Sequence, residues 1–154
     1  MKEVVGGSIY HQIADKLSNA INVAELPLYG EYELKKYTAG RYGKVKIKLD
    51  LENDLEFIEQ IESYGNYENK NAIPKKYYTY KWEANEDNLP KQFEHYVKPI
   101  IEEFIKLFSL LHKNDNNIYC FSIVDGAYKD TERPGHRMAT QFAIIDLFNK
   151  MHGP

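Results

Sequence analysis

The sequence lacks several features that would place it in well-defined protein classes. It contains a single cysteine, Cys120, so no internal disulfide can form, which fits a reducing compartment. No stretch approaches the roughly 20 apolar residues of a membrane span, and the N-terminal residues lack the apolar core of a signal peptide. The Gly-x-x-x-x-Gly-Lys-Ser/Thr loop that cradles nucleotide phosphates is also absent. We therefore expect a soluble, cytoplasmic protein with no membrane contact and no nucleotide bound in that manner.

The composition indicates one globular domain with an uneven distribution of charge. The chain has 154 residues, of which 43% are hydrophobic and 28% are charged. Its net charge of −3 is unlike that of a typical nucleic-acid binder. However, residues 35–49 contain six Lys or Arg and no acid, whereas residues 50–68 contain seven Asp or Glu and no Lys or Arg. A local basic surface is therefore compatible with an acidic protein.

Hydrophobic periodicity predicts a mixture of helices and strands. Apolar residues at helical spacing predict an N-terminal helix over residues 8–24, with Ser8 as its N-cap. Later apolar stripes predict a long helix ending near Leu111 and a last helix over residues 138–148. Because a proline removes a helix bond, the regular part of the long helix is expected to begin at Pro99. Alternating patterns predict strands at residues 28–35, 44–51, 78–84 and 119–123.

The order of these elements favours a particular architecture. It reads strand, strand, strand, helix, strand, helix, and each of the two core helices has a single apolar stripe. This pattern predicts an α+β fold, a two-layer β3-α-β-α sandwich with both helices on one face of the sheet. Residues 1–28 would form an N-terminal helical extension and residues 29–154 the main domain, with an insertion at residues 52–76.

Three stretches resemble domain IV of the elongation factor G-type translocation GTPases. Residues 35–47 are similar to the glycine-rich turn, Tyr-Gly pair and alternating strand of that family. Residues 80–93 are similar to the strand that leads to a proline and the long helix. Residues 125–139 are similar to the closing strand, tip loop and last helix. The resemblance implies a fold of the ribosomal protein S5 domain 2 type, here as a freestanding domain without the GTPase.

In the resembled family the tip of domain IV contacts RNA. Carried over by position, the resemblance implies that residues 40–43 and 129–137 form the tip of this chain. Arginine and lysine side chains there would contact phosphates, and aromatic rings would stack on unpaired bases. The implied partner is the ribosome or another structured RNA. The implied RNA-binding residues are Gly40, Arg41, Tyr42, Gly43, Tyr128, Lys129, Arg133, His136 and Arg137.

The departures from the family limit what the resemblance implies. Lys129 stands where the family often has a histidine, and the tip loop is about two residues longer. Without a GTPase, a freestanding domain cannot perform coupled translocation. We therefore expect a non-catalytic, translation-related module without a cofactor. The simpler interpretation of the loop is a solvated surface of mixed charge, since Asp130 and Glu132 lie among the cations.

A protein–protein interaction module, of the inhibitor or immunity type, is the main alternative function. It would use a tyrosine-rich surface and an acidic arm to dock a basic partner. A third alternative, an enzyme, would pair His136 with Asp125 or Asp130 for acid–base chemistry. The acidic arm consists of Glu52, Asp54, Glu56, Glu59, Glu62 and Glu68.

Other reactive residues have simpler interpretations. The five histidines show no metal-ligand spacing, and Cys120 lies between apolar neighbours as a core or edge residue would.

Three lysines share one face of the second strand and could form a surface that binds phosphates. The favoured interpretation is that they form cross-strand ion pairs with glutamates of the same face. The lysines are Lys44, Lys46 and Lys48, and the glutamates are Glu31, Glu33 and Glu83.

Overall fold

A computed structural model describes residues 9–36, 40–53, 78–112 and 117–151. The N-terminal part contains a 3-10 turn at Ile9–Ile13, the short helix α1 (Ala14–Ser18) and a second 3-10 turn at Val23–Glu25. The remaining elements of the described residues are β1 (Leu28–Lys36), β2 (Arg41–Leu51), β3 (Tyr78–Trp82), a third 3-10 turn at Lys91–Phe93, α2 (Glu94–Leu111), β4 (Tyr119–Ala127), β5 (Arg133–Pro134) and α3 (His136–Asn149).

The five strands of the described residues form one mixed sheet, and the fold is α+β as predicted. The four longer strands lie in the order β1-β2-β4-β3. β1, β2 and β4 are antiparallel neighbours, whereas β3 runs parallel to β4. The two-residue strand β5 runs parallel to the start of β2. A parallel pair requires a crossover connection, and α2 lies in the connection between β3 and β4.

The core lies between one face of the sheet and the helices α2 and α3. Val45, Ile47 and Leu49 of β2 are completely buried, which confirms the alternation predicted for this strand. Four phenylalanines from α2, β4 and α3 pack together in this core, and the two rings of α2 lie with centroids 5.3–5.9 Å from each other and from the rings of β4 and α3. These residues are Phe104, Phe108, Phe121 and Phe148.

The lysines on the opposite face of β2 make mainly local charge contacts, as the favoured interpretation predicted. Lys44 Nζ lies 3.3 Å from Glu31, and Lys48 Nζ lies 4.0 Å from Glu83. Lys46 Nζ lies 5.0 Å from the centroid of the Tyr29 ring. The two half-exposed ion pairs offset part of the positive charge that a phosphate-binding surface would need.

The N-terminal helix is shorter than the sequence predicts. α1 spans five residues rather than most of residues 8–24. Polar side chains near its end bond to nearby backbone groups and so compete with further helix. Ser18 Oγ donates to the Asp15 carbonyl at 3.2 Å, and Asn22 Oδ1 accepts from the Ala24 amide at 3.1 Å. The larger apolar residues Ile13, Leu17 and Ile21 are nevertheless buried, and the Tyr10 ring contacts Phe104 of α2 with centroids 5.1 Å apart.

The long helix begins earlier than predicted. α2 starts at Glu94 and contains Pro99 in its interior, whereas the sequence predicts a regular helix only from Pro99 onward. The helix continues through the proline at a position where both Pro99 and His95 are exposed. Pro99 lacks the amide that would bond to the His95 carbonyl, and water can replace that donor at an exposed position.

Several predictions lie outside the described residues. These are the N-cap at Ser8 and nearly all of the proposed insertion, including every member of the acidic arm except Glu52. Within the described ranges, no helix is long and apolar enough to cross a membrane.

Candidate functional site

The two segments predicted to form the tip are joined by backbone hydrogen bonds. The β5 residues Arg133 and Pro134 pair with Arg41 and Tyr42 at the start of β2. The Arg133 amide donates to the Gly40 carbonyl at 2.8 Å, and the Gly135 amide donates to the Tyr42 carbonyl at 2.8 Å. The turn before β2 and the loop before α3 therefore form one continuous surface.

Gly43 allows the N-terminus of α3 to approach β2 closely. A Cβ atom at this position would lie 2.8 Å from both the Gly135 carbonyl carbon and the His136 nitrogen. Real Cβ atoms do not make contacts this short, so the residue must be glycine for the helix to begin here. The predicted involvement of Gly43 is thus structural, since it fixes where α3 starts beside the tip.

Three predicted arginines meet at a cavity of about 570 Å³ next to this junction, which we call the arginine groove. None of the described residues that line it carries a carboxylate. Arg133 and Arg137 are exposed and Arg41 is half-buried, so the charges lie at the surface of the groove. The lining residues are Arg41, Tyr96, Ile100, Arg133, Pro134, Gly135, Arg137, Met138 and Gln141.

The start of α3 adds to the positive potential of the arginine groove. Gly135 is the N-cap of this 14-residue helix, and no described side chain caps its first turn. A helix N-terminus carries partial positive charge and amide donors without intrahelical partners. Together with three guanidinium groups, this end of the helix gives the groove the electrostatic character of an anion-binding site.

Aromatic rings hold two of the cations near the arginine groove. The Arg137 guanidinium lies 5.9 Å from the centroid of the Tyr96 ring. Lys129 Nζ lies 4.6 Å from the centroid of the Tyr42 ring. Tyr42 is only 6% exposed, and its hydroxyl donates to Glu33 Oε2 at 2.7 Å. Tyr42 therefore positions Lys129 and does not offer an open face for a base to stack on.

The other two predicted stacking residues also pack inward. The half-buried ring of Tyr128 lies with its centroid 4.9 Å from that of Phe93. His136 is completely buried, and its ring centroid lies 4.8 Å from that of Phe93. Its Nε2–H donates to the Ala127 carbonyl at 2.9 Å. A ring enclosed in this way is not available to a base, so the geometry does not support the predicted stacking by His136.

No hydrogen bond among the described residues joins His136 to Asp125 or Asp130, so neither predicted acid–base pair is present. Its Nε2 bonds to backbone, and Asp125 Oδ1 instead accepts from Asn88 Nδ2 at 3.1 Å. Asp130 lies in an exposed turn. Burial lowers the pKa of His136 below its ordinary value of 6.5, and the bond to Ala127 opposes this only in part. His136 is a neutral packing residue beneath the tip.

We expect the stability of the protein to fall as pH decreases below about 6.5 because of His136. The unfolded chain takes up a proton on this ring near its ordinary pKa, whereas the folded protein resists protonation because the lowered pKa favours the neutral ring. At pH above 7 the ring is neutral in both states and contributes no pH dependence. The free energy of unfolding in urea at pH 7.5 and 5.5 measures the effect.

A matched pair of variants isolates the contribution of His136. His136→Gln should show a smaller loss of stability between the two pH values than the wild type. His11→Gln, which changes an exposed histidine, should keep the pH dependence of the wild type. An unchanged pH dependence in His136→Gln would contradict the prediction.

The sequence did not identify Tyr96, Ile100, Met138 or Gln141 as lining the site. Tyr96 and Ile100 lie in the apolar stripe of α2, which predicts core positions, although both are half-buried at the groove. The sequence does not show which residues line the groove, because this depends on which part of α2 packs beside the start of α3 in the tertiary structure. The one local signal for a position at the edge of the core is the hydroxyl group of Tyr96, which lies within an otherwise apolar stripe.

A second polar cluster lies on the sheet away from the arginine groove. The Glu52 side chain is 1% exposed and lies 3.2 Å from Lys81 Nζ, and Thr79 Oγ1 donates to it at 3.3 Å. Glu52 is therefore not available to dock a basic partner. Nearby, burial raises the pKa of the Cys120 thiol, which makes it a poor nucleophile. The described residues contain no group of His, Cys, Asp or Glu that could hold a metal ion.

Comparison with known proteins does not assign a family. No family model matches the sequence, and no curated protein matches it. Among solved structures, the chain is similar to a protein from Thermus thermophilus, with 18% identity and a TM-score of 0.46. That match covers 80% of this chain and 15% of the other protein. A likeness at this level defines neither the type of sandwich nor the activity of the chain.

Proposed function

We propose that this chain is a non-catalytic, translation-related module that binds ribosomal or other structured RNA through the arginine groove and the adjoining Lys129. The observation that supports the proposal is the convergence of Arg41, Arg133 and Arg137 on a cavity without a carboxylate among its described lining residues. The resemblance to domain IV of the elongation factor G-type GTPases favours the same surface. A sandwich of the ribosomal protein S5 domain 2 type is the corresponding proposal for the fold.

The charge balance of the whole molecule is compatible with this function. RNA binding depends on how many phosphates are neutralised locally, since each contact releases condensed counterions. Guanidinium groups suit phosphate because their planar donors bond to two oxygens at once. The net charge of −3 would oppose nonspecific binding elsewhere on the surface. Binding confined to the groove should therefore be steeply salt-dependent.

Co-sedimentation of the purified protein with ribosomes across a salt series tests the proposal. The wild type should bind at low salt and dissociate as salt increases. Arg133→Glu/Arg137→Glu reverses two charges in the groove, so its binding should fall by more than about tenfold. Lys44→Glu/Lys48→Glu makes the same change in charge on the opposite face of the sheet and should retain more binding than the groove variant.

Two outcomes would overturn the proposed function. One is the absence of ribosome binding at low salt, and the other is equal loss of binding in the groove and control variants. A protein partner that is captured equally well by the wild type and by Arg133→Glu/Arg137→Glu would instead favour the interaction-module alternative.

A further inference from the structure

We infer that the arginine groove binds one unpaired nucleotide of the RNA, with its phosphate on the arginines and its base on the Tyr96–Arg137 pair. The inference rests on the proposed function and adds to it the form of nucleic acid that is recognised. The groove would distinguish a single-stranded segment from a regular duplex, in which the faces of the bases are covered by stacking.

The lining of the groove has two chemically different parts. Arg41, Arg133 and the start of α3 supply positive charge. Ile100, Met138 and Pro134 supply apolar surface. The cavity volume of about 570 Å³ is within the range of small-ligand pockets, roughly 300–1,000 Å³. A phosphate alone would leave the apolar part of the groove in contact with water. A nucleotide would cover both parts, since it has an anionic phosphate and a flat, largely apolar base.

The Tyr96–Arg137 pair provides a platform for a base. The guanidinium of Arg137 lies 5.9 Å from the Tyr96 ring centroid. The Tyr96 ring is itself supported by neighbouring rings, with its centroid 4.0 Å from that of His95 and 6.1 Å from that of Phe93. Unpaired bases stack on aromatic rings and on the planes of guanidinium groups. Such stacking depends little on base identity, because every base has a π-face.

Charge on the far side of Arg137 limits the direction that the nucleic acid can take. Arg137 also borders a second cavity, whose lining, among the described residues, includes the two carboxylates of Glu102 and Glu103 beside a single lysine, Lys106. These carboxylates would repel a phosphate backbone that continued past Arg137 over α2. The favourable course therefore runs from Arg137 toward Arg41 and Arg133, because none of the described residues that line the arginine groove carries a carboxylate. Only a short segment of the strand would then lie in the groove.

Fluorescence anisotropy with three labelled probes tests this inference. The probes are a single-stranded adenosine hexanucleotide, an abasic sugar–phosphate oligomer of equal length and a blunt RNA duplex. At one salt concentration the wild type should bind the hexanucleotide about tenfold more tightly than the abasic oligomer, which is the effect expected of one stacked base. The duplex should bind no more tightly than the abasic oligomer.

Variants of the platform should change the ratio of the two single-strand affinities. Tyr96→Leu should reduce the ratio of hexanucleotide to abasic affinity to near one. Arg137→Gln, an exposed change that leaves the packing of Tyr96 in place, should reduce the same ratio. Tyr29→Leu removes a comparable cation–ring contact, with Lys46 at 5.0 Å on the opposite face of the sheet, and should leave the ratio unchanged.

The possible results separate the inference from the function on which it rests. Equal, steeply salt-dependent binding of the hexanucleotide and the abasic oligomer by the wild type would overturn the nucleotide inference and leave the RNA-binding proposal standing. A ratio that neither Tyr96→Leu nor Arg137→Gln alters would also overturn the inference. Failure of all three probes, and of ribosomes, to bind at low salt would overturn both.

Discussion

Replacing Gly30 by alanine should destabilise the protein by about 3 kcal/mol or more. Gly30 lies in β1 where α3 crosses the strand. A Cβ atom there would lie 2.1 Å from the Ala143 carbonyl oxygen and 2.7 Å from the Leu147 nitrogen. Both atoms belong to the helix backbone, so no rotation of a side chain relieves the overlap, and α3 must move away from the sheet. The midpoint of urea unfolding, followed by circular dichroism, measures the loss.

Gly40→Ala is a matched control, because alanine at this position has an unfavourable backbone conformation but its Cβ atom does not collide with neighbouring atoms. Gly40 has a φ of 60°, and the nearest described atom to an added Cβ is Glu132 Oε1 at 3.8 Å. The expected cost is therefore only the left-handed conformation of a non-glycine residue, roughly 1–2 kcal/mol. A Gly30→Ala variant as stable as Gly40→Ala would show that α3 is not packed against β1 as described.

Phe104→Ala should cost about 3–5 kcal/mol, the range measured for large aromatic residues in packed cores. Phe104 is completely buried, and its ring contacts those of Tyr10, Phe108, Phe121 and Phe148. These neighbours come from every layer of the fold and cannot all close over the space left by the ring. The variant would unfold at a much lower urea concentration than the wild type.

Leu110→Ala on the same helix provides the comparison for Phe104→Ala. Leu110 is 69% exposed, so its truncation should change the free energy of unfolding by no more than about 0.5 kcal/mol. Both substitutions replace a larger apolar residue by alanine within α2, and they differ mainly in burial. Similar losses in the two variants would mean that α2 does not bury the face that contains Phe104.

Periodicity predicted the sheet and the core more accurately than it predicted helix boundaries. Residues 45, 47 and 49 alternate with lysines, and a strand with one buried face is the only regular structure that separates them. Residues 13, 17 and 21 are buried, as their spacing predicts. The extent of their helix was overestimated, because spacing records which face is buried but not the local bonds of Ser18 and Asn22.

The candidate site was predicted only in part, for a physical reason. Arg41, Arg133 and Arg137 were identified from the resemblance, and the structure brings them to one cavity. The burial of His136 and Tyr42 could not be read from the sequence, since it depends on how closely α3 approaches β2. Polar rings in a charged loop are usually solvated, and no local pattern indicates that Gly43 lets the N-terminus of α3 lie so close to β2.

The pairing of β5 with β2 has a consequence for how the protein is made. Arg41 and Arg133 are far apart in the chain, so the contact between their strands carries a large loop-closure entropy. A nascent chain that has not yet emerged past Arg137 would have the basic turn of β2 but not the groove. A ligand that binds the assembled groove would stabilise the native state against unfolding, and it could bind there only after the start of α3 has been synthesised.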